Sequence, residues 1–479
     1  MANDNGLIYA LALGAVIAAL CIVAVIKTLS VKDRADFLVA GRSLPWPVLV
    51  FTLLSSWIGA GSLLGGGENG YKNGFVALWQ PAGGWIGLLV IWVIAARVRR
   101  LAQFTVPDLL ETRYNATARV MATVAIVISN TVITSYQFKG GGDILHLIFP
   151  SLERTTGMYI IAAFVIAFTA AAGMASIAYM DLLIGALVTV MVVIAMPLLL
   201  NEVGGWRHVR EVLPPSHFTV FGDIGVSKAM GFCIPTLLLL VGNQGMYQKF
   251  FSAKSERDAR RAVAGWIVGT MFLETALMVV AILGSAKFHT DAPREIIPLT
   301  ARRGLPVLVG AILLSGIMAK VISTANNYLF SPATNLIHDV YGRFMRPNAS
   351  ERETLLASRL IVVGLGLFAL LQATQFESVL KASLYAYTIY GAAVTPVVMA
   401  VFFWRRTTTA GAVTSIALGT VVTILWNLSQ SVWKWTEVDA VYPALGASVA
   451  SLVLISLLTP APSPEKWKSF FEKGSHETR

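Results

Sequence analysis

Charge is scarce in this chain. Only 13% of its 479 residues are Asp, Glu, Lys or Arg, while 56% are hydrophobic and the mean hydropathy is +0.69. A water-soluble protein of that composition would expose one continuous apolar patch, and a disordered chain needs the opposite balance. Cysteine is scarce too. Cys21 and Cys233 both lie in apolar runs, which excludes a disulfide framework or a zinc spacing. No GxxxxGK[ST] phosphate loop occurs, and no stretch between apolar runs exceeds about 15–30 residues, too short for an independent core. A fused kinase, a fused hydrolase and an ATP-driven pump are thereby excluded. What remains is an all-α polytopic membrane protein.

A helix needs ~20 apolar residues to cross the hydrocarbon core. Thirteen such segments begin near Leu7, Pro45, Gly74, Val120, Met158, Ile177, Ala229, Val263, Leu305, Leu360, Ala382, Ala410 and Val441. The tenth and twelfth read as short, and the boundary between fifth and sixth, from Gly173 to Asp181, is soft. Met1 to Gly6 carries no basic residue, so the first segment reads as a retained span rather than a signal peptide. With the N-terminus outside, about two-thirds of the 37 Lys and Arg fall on inward connections. They include Lys27, Lys32, Arg97, Arg99, Arg100, Arg113, Arg119, Lys473 and Arg479. That bias places the C-terminus in the cytoplasm. The basic surplus reads as topology and attraction to the lipid bilayer, not as a nucleic-acid footprint.

Two segments carry helix breakers at membrane depth. The second reads Ser55-Ser56-Trp57-Ile58-Gly59-Ala60-Gly61-Ser62 and then Gly65-Gly66-Gly67; the seventh holds Pro235 and then Gly242-Asn243-Gln244-Gly245. Glycine costs about 1 kcal/mol in a helix interior and proline about 3, so both segments are expected to be discontinuous. Such backbone is tolerated only where it is buried in protein or lines a cavity. The two lie five segments apart, hence cross in opposite directions, as the first helices of two inverted repeats would. A matched pair of interrupted spans points to a transporter binding site; glycine serving close helix packing alone is the plainer reading.

An ordered set of motifs carries a family resemblance. These are Phe37 to Leu44 (FLVAGRSL), Thr105 to Tyr114 (TVPDLLETRY), Asn243 to Ser255 (NQGMYQKFFSAKS), Ser323 to Asn327 (STANN), His338 to Tyr341 (HDVY), Phe403 to Thr407 (FWRRT) and Gly411-Ala412. Over roughly residues 5–460 the chain resembles the sodium/solute symporter family. That resemblance implies a LeuT-like five-plus-five inverted repeat, about 45–201 and 226–404, in a single transporter domain over 1–460, with a cytoplasmic tail at 461–479.

The resemblance also implies a sodium ion held between the second and ninth segments. Its ligands would be the carbonyls of Ser55, Ile58 and Lys320 with the hydroxyls of Ser323 and Thr324. Spacing agrees, since positions 320, 323, 324 and 327 share a helical face. Alternatively, both hydroxyls bond back to carbonyls of their own helix. Asp181 matches a family aspartate near a second sodium site, with Asn326 and Asn327 as its companions.

Lys320 departs from the small residue of many relatives. A lysine at mid-membrane costs about 2.5–3.5 kcal/mol and marks function or a charge partner. Its ammonium fills the sodium position, or pairs with Asp181, or snorkels away and leaves the site intact. Glu274, inside the eighth segment, reads as a hydrogen-bonded structural acid.

In this fold the solute sits against the two unwound regions. The expected lining is Trp57, Gly59, Ser62, Gln80, Gln137, Asn243, Gln244 and Tyr247, with Tyr385, Tyr387 and Tyr390 as gates. Helix packing is the alternative for each. The expectation is a sodium-coupled symporter of a small organic solute in the plasma membrane, of bacterial inner-membrane type. It is not an enzyme, and a monomer suffices. Rival readings are a sodium-independent or proton-coupled transporter with Lys320 as the cation, and a membrane sensor without net transport. A channel is disfavoured because no filter-like repeat is visible.

Overall fold

The computed structural model describes residues 5–28, 34–101, 103–376, 378–433 and 438–471. Met1–Asp4, Lys32, Lys473 and Arg479, which enter the sequence reading, lie outside them. Among the described residues twelve helical runs are long and apolar enough to cross a membrane, joined by a shorter apolar helix, Trp46–Trp57. That short helix is the first half of the second segment, which accounts for thirteen.

The spans begin earlier than hydropathy alone places them. The fourth starts at Ala116, the eighth at Glu256 and the tenth at Glu351. In each case a side chain just ahead accepts a backbone N–H of the first turn: Asn115, Ser255 and Ser350. Polar caps let a helix continue beyond its apolar stretch. For this reason the tenth is not short, running Glu351–Ala373, and the twelfth too is longer than expected, at Thr409–Trp433. The soft boundary falls at Ala172 and Gly173, between Arg154–Ala171 and Met174–Glu202.

Both interrupted segments are broken, for different local reasons. The second stops at Ile58, whose backbone turns extended (φ −88°, ψ 97°), and resumes through a wide π-type turn, Gly61–Gly65, into Gly66–Asn73. The Ala60 N–H freed there donates to Gln137 Oε1 at 2.7 Å. The seventh runs through Pro235 without interruption and breaks only at Asn243 (φ −60°, ψ 115°). One missing N–H inside a membrane helix is tolerable where the helix is packed in protein, and Pro235 is buried. At the Asn243 break the Tyr390 hydroxyl does double duty. It accepts from the Gln244 N–H at 2.8 Å and donates to the Gly242 carbonyl at 2.9 Å.

Glycine sets how closely the segments cross. A Cβ on Gly59 would lie 2.5 Å from Thr324 Oγ1, and one on Gly83 would collide with the Cys233 carbonyl. The second segment therefore meets the ninth, and the third meets the seventh, at backbone distance. The ninth and eleventh segments are the most enclosed, while the first, tenth, twelfth and thirteenth turn much of their surface outward. The repeats surround a buried centre, and flanking helices face lipid.

Candidate functional site: a buried cation cluster and a central cavity

At the crossing of the second and ninth segments, main-chain oxygens freed by the break meet side-chain hydroxyls. Thr324 Oγ1 lies 3.0 Å from the Ser55 carbonyl and 3.4 Å from that of Ile58. Ser323 Oγ donates to the Asp181 carboxylate. Neither hydroxyl bonds back to its own helix; both reach across to other segments. The Asp181 carboxylate also accepts from Thr52 Oγ1 at 2.6 Å and Asn327 Nδ2 at 3.1 Å. It is fully buried.

Lys320 lies in the same cluster, fully buried. Its Nζ donates to Ser55 Oγ at 3.2 Å, and Ser55 Oγ in turn donates to the Asp181 main-chain oxygen at 2.9 Å. Ser55 thus stands between the lysine and the aspartate segment. Among the described residues no ion pair joins Lys320 to Asp181. A second buried lysine approaches from the other side: Lys249 Nζ donates to Asn327 Oδ1 at 2.7 Å. Asn326 faces elsewhere, accepting from Thr169 Oγ1 at 2.9 Å.

A narrow cavity opens beside the break in the second segment. Its water-sized space is about 30 Å³, room for a water or two rather than an organic solute. This conformation is therefore closed around its centre. Of the expected lining residues, Trp57, Ser62 and Gln80 face the cavity, as does the expected gate Tyr387.

The others do different work. Gly59 admits Thr324, and Gln137 holds the unwound backbone. Asn243 caps the following half-helix and donates to the Tyr328 hydroxyl. Gln244 Oε1 accepts from the Val106 N–H in the connection after the third segment, and the Tyr247 hydroxyl donates to the Val241 carbonyl. Tyr390 pins the break, and Tyr385 packs beside Phe376.

The cavity also contains Glu274, whose two oxygens accept from Trp57 Nε1 at 3.0 Å and Trp85 Nε1 at 2.9 Å. Sequence reasoning gave this acid only a structural part. The signal was there, because a carboxyl group inside an apolar span is costly. Trp85 and Lys249 carried no comparable signal, since their roles depend on partners far away in sequence.

Ionic clusters bracket the centre on both sides. On one, Asp143 is held by Arg294 (2.7 Å) and Arg154 (3.3 Å), and Glu295 by Arg154 (2.8 Å). On the other, Arg119 pairs with Asp108, Glu111 (2.7 Å) and Asp339 (3.5 Å). Burial alone would raise the Asp108 carboxyl, yet the His338 hydrogen bond and the charges of His338 and Arg119 hold it below its ordinary range.

The chain is similar to known proteins in sequence and in fold. The chain is 24% identical over 458 residues to the high-affinity proline transporter PutP of Bacillus subtilis, covering 90% of this chain and 94% of that protein. It is 25% identical over 475 residues to the sodium/proline symporter of Escherichia coli (strain K12), covering 93% and 92%. In fold it is similar to a Na+-coupled sialic acid symporter solved substrate-bound and outward-open. That match has TM-score 0.81 and 15% identity and covers 96% of this chain and 99% of that one. A nucleobase-cation-symport-1 family transporter in a closed conformation matches at TM-score 0.59 and 14% identity, covering 92% and 99%. The profile of the sodium:solute symporter family spans residues 37–419, and the chain belongs to that family.

Proposed function

We propose that this chain carries a small organic solute inward across the plasma membrane, coupled to a sodium ion bound at the crossing of the second and ninth segments. The carrying observation is the convergence of the Ser55 and Ile58 carbonyls on Thr324 Oγ1, with Ser323 beside it. Broken backbone supplies carbonyl oxygens, and an intact helix supplies hydroxyls. The Lys320 carbonyl would complete the set. Asp181 with Asn327 forms a polar step beside it, while Asn326 is engaged by Thr169. The cavity bounded by Trp57, Ser62, Gln80 and Tyr387 would hold the solute. Access would alternate as one group of helices rocks against the other. No covalent step is involved, a monomer suffices, and the N-terminus lies outside.

A second reading concerns the cation alone. The Lys320 ammonium donates to Ser55 Oγ at the edge of the same oxygen cluster. A resident ammonium there would supply the positive charge and remove the need for sodium. Thermal unfolding in matched NaCl and KCl separates the readings, because an ion that binds only the folded state raises the midpoint. Selective stabilisation of wild type by NaCl supports sodium coupling. Stabilisation appearing only in Lys320→Ala assigns the cation role to the lysine. Uptake into proteoliposomes, absent for a sensor, tests transport itself.

A further inference from the structure

The central cavity contains a buried carboxyl group that forms no ion pair among the described residues. Glu274 is 5% exposed and lies in the interior of the eighth segment. The groups that hold it are the indole N–H of Trp57 and of Trp85, with Ser62 adjacent. All three are neutral. They fix the orientation of the carboxylate without cancelling its charge. Each oxygen takes one indole bond and keeps a further acceptor position.

The buried Lys320 ammonium influences Glu274 electrostatically but bonds Ser55 Oγ instead. Among the described residues no lysine or arginine forms an ion pair with Glu274. A buried carboxyl group either takes up a proton or pairs with a cation in contact with it, and the other walls offer Trp57 and Tyr387. Aromatic rings beside an oriented carboxylate suit an alkylammonium, through hydrogen bonding at the acid and cation–π attraction at the rings.

We propose that Glu274 anchors a positively charged nitrogen of the transported solute, with Trp57 and Trp85 positioning the carboxylate. The solute class is then an amine-bearing zwitterion or an organic cation; sugars and simple carboxylates are excluded. The assignment rests on reading this cavity as the solute site. It differs from a purely structural role, in which Glu274 only ties the second and third segments to the eighth.

The test measures the thermal midpoint of the purified full chain with L-proline, choline and putrescine. Matched partners without a charged nitrogen are N-acetylproline, D-glucose and pyruvate. Wild type and Glu274→Gln are compared in NaCl and in KCl. In wild type at least one nitrogen cation raises the midpoint and the neutral or anionic set does not. In Glu274→Gln its apparent affinity falls by about tenfold or more, the effect of losing one charge-assisted hydrogen bond.

Silence of every amine, an equal response to the matched set, or full amine affinity in Glu274→Gln overturns the proposal. Should that variant fail to fold, L-proline against N-acetylproline on wild type decides by itself. The sodium reading is scored separately. Amine binding without a sodium effect defeats sodium coupling and leaves this assignment standing, and a sodium effect with silent amines does the reverse.

Discussion

Asp181 and Glu274 are both carboxyl groups buried near the centre of one membrane protein, yet their surroundings differ in kind. Asp181 is enclosed by three donors from two segments: Thr52 of the second, and Ser323 and Asn327 of the ninth. Lys249 joins through Asn327. Glu274 has two indoles and a cavity. A carboxyl group surrounded by donors from other segments ties those segments together. One with fewer donors, at the wall of a cavity, stays available to something that arrives. Burial alone does not distinguish the two; the remaining valence does.

The largest effect that breaks this contrast is expected from Asp181→Ala. It strands the Thr52 and Ser323 hydroxyls and leaves the Asn327 amide with the Ser323 carbonyl alone. Breaking a buried charged network typically costs about 3–5 kcal/mol, so the thermal midpoint falls steeply and transport is lost. Glu274→Gln keeps the volume and an acceptor for one indole, and its midpoint moves far less. Equal destabilisation by the two would erase the distinction.

Next comes Lys320→Ala measured in sodium. If the ammonium occupies the cation position, its removal opens a site whose filling adds about 2.7 kcal/mol at a sodium concentration a hundred times the Kd. A NaCl-specific rise in midpoint reads this directly. An unchanged salt response would place Lys320 outside the ion site.

Gly59→Ala sharpens the comparison from the packing side. Its Cβ would press on Thr324, and overpacking of this kind costs about 1–3 kcal/mol. The loss should appear together with a weakened sodium response, since the same contact positions the Ser55 and Ile58 carbonyls. Gly364→Ala, where no atom lies within 4 Å of the added carbon, is the matched control and should leave both unchanged.

The smallest expected change is Tyr390→Phe. It removes the hydroxyl that serves both Gly242 and Gln244 at the break in the seventh segment. Losing a buried hydrogen-bond partner costs about 1–3 kcal/mol. The midpoint should drop modestly while any amine that stabilises wild type binds as before, because this tyrosine supports the break rather than lining the space.

Much of this was legible before the fold was known, and the reason is locality. Thirteen apolar segments follow from run length, and the interruption at Ile58 and Gly59 from a cluster of glycines whose helix cost is intrinsic. Pro235 shows where the local argument stops. It sits in an unbroken helix, buried among its neighbours, although its own position cannot donate to the helix ladder. The helix ends were misjudged for a related cause: Asn115, Ser255 and Ser350 cap turns that hydropathy excludes.

The candidate site divides along the same line. Ser55, Ile58, Ser323 and Thr324 are expected ligands through the family resemblance, and the fold brings all four to one crossing. Gln137, Gln244, Tyr247 and Tyr390 look like ligand groups in sequence because they are polar at membrane depth. Folding uses them for backbone bonds at breaks and connections.

The sequence by itself determined a polytopic helical protein with two discontinuous segments, since bilayer thickness and helix propensity act on residues one after another. Only the tertiary structure decided which polar groups are used up and which remain free. Trp85 reaches Glu274 across 189 positions and Lys320 reaches Ser55 across 265. Hydrogen-bond saturation depends on such meetings, which chain order does not encode locally.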